Sequence, residues 1–250
     1  MQSNQILVFD IEGEYGHFRK FNTTTSPLTY SIPPRTAIIG MIGAILGIER
    51  EQGVGQYKEG QEPLADLLSP QNAQIAVQVL NPIQKVQMAF NLLNTKTSFF
   101  NIDNRTQIEF ELLKKPKFRV FLQWNHAQLF EDLQQKIAFR KNHFTVCLGL
   151  SQLVATVDLV GIFESHSIDL LDFVPIISAI KVSSLNLSDP IRLERNSEFR
   201  YTSDTHPIFM TSDRLVKEFA EVLIEANGQP IWAKSDTIRE VTGIGNILFL

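Results

Sequence analysis

FDIEGEYGHFRKFNTTTSPLTYSIPPRTAIIGMIGAILGI, residues 9–48, reads as the end of a strand, a long polar loop and a buried helix. Ile6, Val8 and Asp10 alternate with Leu7, Phe9 and Ile11, so residues 5–12 fit a strand buried on both faces. Gly13 and Gly16 end it. The loop then interleaves cations and rings in His17, Phe18, Arg19, Lys20 and Phe21. A hydroxyl run follows (Thr23, Thr24, Thr25, Ser26), and Tyr30 precedes Pro33-Pro34-Arg35-Thr36. A proline with its fixed φ and no N–H suits a first helical turn, so the helix is expected to start at the Pro-Pro step. Ile38 to Ile48 is apolar all round, the pattern of a fully buried helix. Gly40, Gly43 and Gly47 cost it about 3 kcal/mol against alanine, which close approach to another element would offset. The run is too short to span a bilayer. Its GxxGxxxG spacing inside the helix is not a dinucleotide fingerprint.

Chemically, the stretch offers an anion site. A helix N-terminus carries unpaired N–H groups and partial positive charge, and the loop brings Arg19, Lys20 and Arg35 to it. Phe18, Phe21 and Tyr30 add flat faces on which unpaired bases stack. The competing reading makes the phenylalanines core plugs and the cations solvated surface. The loop's length and its density of polar residues weigh against that competing reading without removing it.

The string GHFRKFNTTTSPLTYSIPPRTAIIGMIGAILGI (16–48) resembles the N-terminal signature of the fifth Cas family, the RAMP-type subunits of type I CRISPR surveillance (Cascade) complexes. Weaker similarity continues through NLLN (91–94), ELLKKPKFRVFL (111–122), HFTVCLGLSQLVATVDLVG (143–161) and GNILFL (245–250). The flavour is that of the subtype I-B branch. The resemblance implies an RRM-like core and a thumb-like projection that presses on RNA. It also implies a grip on the 5′ handle of the guide crRNA. Implied partners are the RNA-coating seventh-family Cas subunit, the large eighth-family Cas subunit and, through the complex, target DNA.

The whole chain fits this frame. Its 250 residues hold a sizeable core, and 18 Phe against 4 Tyr and 2 Trp supply apolar packing. Cys147 is the single cysteine, which excludes an intrachain disulfide and leaves a thiolate metal site without a second ligand. Ile6 to Ile11 is short and broken by Asp10, so no signal peptide or membrane partner is expected and the cytoplasm is the expected compartment. A net charge of −4 speaks against a free-standing, non-specific nucleic-acid binder. It allows local basic patches: Arg19-Lys20, Lys114 to Arg119, Arg140-Lys141 with His143, and Arg192 with Arg195.

Downstream, a short helix is expected at 63–68 and a half-buried strand through Ile75, Val77 and Val79. Residues 83–113 suggest a protruding hairpin, with Val86 to Phe90 and Ile108 to Leu112 as strands and Lys96, Phe99, Phe100 and Arg105 near the tip. A plain surface loop is the alternative. Lys117 to Trp124 is a strand, His126 to Lys141 a helix with stripe Leu129, Phe130, Leu133 and Ile137, and Leu153 to Phe163 a strand. Residues 1–163 thus read β–α–β–(flap)–β–α–β, the ferredoxin-like order of an α+β fold. Residues 164–250 read as a separate β-rich appendage. Its strand candidates are Val174 to Leu187 and Ile191 to Tyr201, with an Asn227-Gly228 hairpin between Phe219–Glu225 and Ile231–Lys234. Asp213 to Ala226 also fits a helix, with strand preferred. Ile247 to Leu250 is expected to complete a sheet.

Catalysis finds little support. Five scattered histidines form no HxH or HExxH motif. Metal-free RNA cleavage would need a base and an acid about the scissile phosphate, for which Tyr15, His17, Tyr30 and His143 are candidates. One branch of the resembled family cuts precursor RNA this way, whereas the branch resembled here leaves the cut to another enzyme. The expected function is non-catalytic RNA binding through His17, Phe18, Arg19, Lys20, Phe21, Thr23, Thr24, Tyr30, Arg35, Lys96, Arg105, Arg140 and Lys141, with no cofactor. A metal-independent endonuclease and a purely structural scaffold are the alternatives.

Overall fold

The alternating apolar stretch at the N-terminus forms β1 (Gln5–Glu12), an interior strand of the largest sheet. A computed structural model describes residues 4–21, 27–48, 62–93, 105–168, 172–185, 188, 190–194 and 196–250. In chain order there follow β2 (Tyr15–Gly16), α1 (Arg35–Leu46), α2 (Leu64–Leu67), β3 (Ala73–Val79), β4 (Lys85–Leu93), β5 (Arg105–Lys114), β6 (Lys117–Trp124), α3 (Ala127–Ala138) and β7 (Thr156–Ser167). The remainder is β8 (Val174–Ile176), β9 (Ile180–Lys181), a 3-10 turn at Val182–Ser184, β10 (Ile191–Arg192), β11 (Tyr201–Met210), β12 (Val216–Glu225), β13 (Ile231–Ala233), β14 (Arg239–Val241) and β15 (Gly245–Ile247). The molecule is α+β, mostly sheet with few helices.

β1 lies between β6 and β7, and β3 flanks β6, all antiparallel. α1 precedes β3 and α3 precedes β7, each β–α–β unit skipping one strand. Leu7, Phe9 and Ile11 point into the main core with α1 and α3, while Ile6 and Val8 join Phe121, Ala76, Val241 and Ile247 in a smaller core on the other face. Burial on both faces explains the near-continuous apolar run. Below it, Asp10 accepts from Arg119 Nε at 2.7 Å and Nη2 at 3.0 Å across the β1–β6 pair.

α1 starts as the Pro-Pro step requires, with Pro34 extended at the cap, and ends on Gly47 at φ +80°, whose N–H bonds Gly43 O at 2.9 Å. Gly43 admits Leu64, which a Cβ would overlap. α3 is capped by His126, which accepts from Leu129 N at 3.3 Å, and buries Phe130, Leu133 and Ile137. It stops at Ala138 instead of Lys141, because Arg140 adopts a left-handed backbone at φ +52°.

The expected hairpin is present. β4 and β5 pair from Lys85↔Leu113 to Leu93↔Arg105, and β2 adds a third strand. Its distal half is exposed at Leu92 and Leu93, and residues 94–104, with Lys96, Phe99 and Phe100, lie outside the described residues.

The C-terminal region departs from the expected layout. A boundary after residue 163 falls inside β7, which runs on to pair with β14, so the nine-stranded sheet β10-β13-β8-β15-β14-β7-β1-β6-β3 is continuous across it. Ile208, Val222, Ile224 and Leu250 also enter the main core. The Asn227-Gly228 hairpin is not formed. Glu225 is buried, and its Oε2 accepts from Asn227 N at 3.0 Å and Gln229 N at 2.6 Å, turning the chain away from β12. β13 therefore joins β8 and β10, and β12 lies between β11 and β9 in a separate three-stranded sheet. Among the described residues Ile191 to Tyr201 is strand only at its two ends, because Asn196 Oδ1 accepts from Glu198 N at 2.9 Å and bends the chain between. Of the strand expected over Val174 to Leu187, the described part, up to Leu185, divides into β8, β9 and the 3-10 turn.

Candidate nucleic-acid interface

The loop between β2 and α1 doubles back as a narrow ribbon. Lys20 N donates to Leu28 O at 2.9 Å and Tyr30 N to Phe18 O at 2.8 Å, with an isolated bridge between Arg19 and Thr29. Phe18 N bonds Thr29 Oγ1 at 2.9 Å. Residues 22–26, including Thr23 and Thr24, lie outside the described residues.

Two hairpins grip the ribbon. From β5, Glu111 N donates to Pro27 O at 3.0 Å, while Glu111 Oε1 accepts from Thr29 N at 3.1 Å and from Lys85 Nζ at 3.0 Å. From β11 and β12, Asp204 accepts from Lys20 Nζ at 2.6 Å, the His206 ring packs on Tyr30 at 4.4 Å between centroids, and Phe219 meets Phe21 at 5.0 Å. A third support is the segment after α3: His17 N donates to Leu148 O at 2.9 Å. A Cβ at Gly149 would overlap His17 O, and its φ of +93° already favours glycine.

This geometry sorts the expected site residues. Arg19 and Phe21 are exposed on the outer side of the ribbon, Phe21 at 65%. Lys20 is half-buried in its ion pair with Asp204. His17, Phe18, Tyr30 and Arg35 are buried, which corrects their reading as surface contacts. Phe18 is core. Arg35 is fully buried and donates to Leu68 O and Ala73 O at 2.8 Å and to Ile208 O at 3.3 Å, so it ties α1 to the chain after α2 and to β11. Burial lowers its pKa to about 10, which leaves it charged at neutral pH. The anion site expected at the α1 N-terminus thus loses its arginine, and the surface beside Thr36 is an apolar cleft bounded by Ile39, Leu64 and Met210. Arg105 is exposed at the start of β5, and Arg140 and Lys141 are exposed after α3, where Arg140 pairs with Asp158.

The buried rings carry unusual polar atoms. His17 Nδ1 donates to Glu111 O at 2.8 Å, and its buried Nε2 has no partner. Burial lowers its pKa. His206 is fully buried with both ring nitrogens unpartnered, and burial lowers its pKa to about 4. Tyr30 Oη is also buried, beside the Phe21 backbone, and burial raises its pKa. Among the described residues no cluster of three or more His, Cys, Asp or Glu could hold a metal, and no helix is long and apolar enough to cross a membrane.

Asp204, His206 and Phe219 were not legible as site residues, since they meet the ribbon from almost two hundred positions away. The one available signal was Phe219 between Glu218 and Glu221 in the disputed 213–226 segment.

Comparison with known proteins agrees with this architecture. The family model described as CRISPR-associated protein (Cas_Cas5) matches residues 6–162. Among solved structures, a CRISPR protein from Archaeoglobus fulgidus aligns over 97% of both chains with a TM-score of 0.55 and 15% identity. A chain of a CRISPR RNA-guided surveillance complex aligns over 91% of this chain and 90% of its own, with a TM-score of 0.54 and 12% identity. A chain of a type III-B Cmr-beta complex bound to cognate target RNA and AMPPnP aligns over 91% and 86%, with a TM-score of 0.50 and 14% identity. No curated protein sequence matches the chain.

Proposed function

Because the chain belongs to the CRISPR-associated Cas5 family, we propose that it is a non-catalytic, cytoplasmic RNA-binding subunit of a type I CRISPR effector complex of the I-B kind. In this reading it grips the 5′ handle of the guide crRNA and contacts the seventh-family backbone subunit and the eighth-family large subunit. Its four strands β7-β1-β6-β3 with α1 and α3 constitute the ferredoxin-like RAMP core, and the β4–β5 hairpin is the thumb.

The observation that carries the reading is the ribbon at 18–30. Two hairpins hold it, while Arg19 and Phe21 stay exposed. A cation beside an exposed ring fits phosphate contact with base stacking. The alternative, a metal-independent endonuclease, loses its best base. His17 is 2% exposed with its Nδ1–H committed to Glu111 O, so a ribose hydroxyl cannot reach the ring without opening the ribbon. Titrating handle RNA into the chain tests the proposal. Arg19→Ala should weaken binding and lower the slope of log K against log salt by about 0.7. An unchanged affinity and slope in a folded variant would make the ribbon structural.

A further inference from the structure

From the last residue of α3 onward the chain exposes eight consecutive residues, Ala138 to Thr145. Phe139 is 71% and Phe144 is 44% exposed. The segment is nevertheless fixed. Arg140 N bonds Ile137 O at 3.0 Å and Lys141 N bonds Lys136 O at 2.8 Å. His143 N donates to Ile45 O at 3.2 Å and Phe144 N to Ala44 O at 2.8 Å, which pins it to the last turn of α1. Lys141 Nζ lies over the Phe139 ring at 5.9 Å, and the His143 ring meets Phe144 edge-on at 4.6 Å. Apolar rings held rigidly in water, when the stripe of α3 is already buried, have no use inside the fold.

We propose that Phe139 and Phe144, with Lys141 and His143 between them, form a second stacking platform for single-stranded RNA. The inference rests on the RNA-binding reading above and extends it to a separate surface. Charge supports a polyanion. Lys141 lies over the Phe139 ring and His143 against Phe144, and the carboxylate of Asp158 is matched by Arg140. Cores of protein–protein interfaces are depleted in lysine, and here lysine lies on the ring itself. Room supports an extended strand. A cleft of ≈ 300 Å³ continues from the platform between Ala37, Gly40 and Ala44 of α1 and Thr145, Cys147 and Gly149. Gly149 abuts His17, so the cleft leads from the platform to the base of the ribbon. Gly40 faces open space there, whereas Gly43 is needed to admit Leu64.

The test uses the full chain, fluorescein-labelled oligo(U), and an abasic oligomer of the same length. The double variant F139A/F144A should bind oligo(U) about tenfold or more weakly with an unchanged salt slope, since stacking and not charge is removed. The wild-type advantage should vanish on the abasic oligomer. K141A should lower the slope by about 0.7. If F139A/F144A stays folded and binds oligo(U) as the wild type does, the platform is refuted, and a concurrent loss with Arg19→Ala leaves the ribbon proposal standing. If the variant keeps RNA affinity but fails to join the other subunits, the surface is a protein interface and the proposal is wrong. If the wild type binds neither oligomer nor handle RNA, both proposals fall.

Discussion

His206 makes stability depend on pH in a way that can be isolated. Its ring is fully buried against Tyr30, both nitrogens lack partners, and burial holds its pKa at about 4 against 6.5 for a free imidazole. The ring is neutral when folded and takes up a proton on unfolding between these values. Stability from this group is therefore complete above about pH 6.5 and falls as pH drops towards 4. Between pH 7.5 and 5 the loss comes to about 2 kcal/mol, and it approaches about 3 kcal/mol near pH 4. His206→Phe keeps a ring against Tyr30 and cannot titrate. Urea unfolding of both proteins at pH 7.5 and 5 gives a double difference in which His17, the carboxylates and any packing offset cancel. The wild type should lose about 2 kcal/mol more than the variant. Equal losses would mean that His206 is not buried neutral, and the packing of β11 on the ribbon would be wrong.

Other consequences follow from single contacts. Arg35→Met should destabilise by at least about 2 kcal/mol in urea, because three buried carbonyls lose their donor; Arg35→Lys should not restore it, since an ammonium cannot reproduce the fork. Gly149→Ala should cost more than about 2 kcal/mol from backbone strain and overlap with His17 O, and a change below about 0.5 kcal/mol would refute that contact. Asp204→Asn removes the carboxylate beside Lys20 and should tighten handle RNA a few-fold at low salt, with the gain fading as salt rises. Weaker binding would show that the ion pair shapes the site.

What could be read in the sequence was local. The alternation in residues 5–12, the Pro-Pro helix start and the stripe of α3 each follow from periodicity within a dozen residues, and their elements form as expected. The failure at Arg35 depends on distant partners, and the one at Asn227-Gly228 on a side chain whose burial the local pattern does not announce. Nothing around Arg35 says that the carbonyls of Leu68, Ala73 and Ile208 converge on it, so an arginine at a helix start read as an anion ligand. Asn227-Gly228 carries a hairpin signal, but the buried Glu225 carboxylate collects the local N–H groups and sends the chain into another sheet. Phe139 was readable in one respect: it follows Ile137 by two positions and so falls off the helical stripe.

The central claim is RNA binding without cleavage, and it is tested most directly by incubating the purified chain with end-labelled precursor RNA containing the repeat, in chelator and in magnesium, and resolving bound and denatured samples on gels. The account predicts a retarded complex from which full-length RNA is recovered under both conditions. Specific cutting at the repeat that disappears in His17→Ala would contradict it and would require the buried ribbon to open onto its ring.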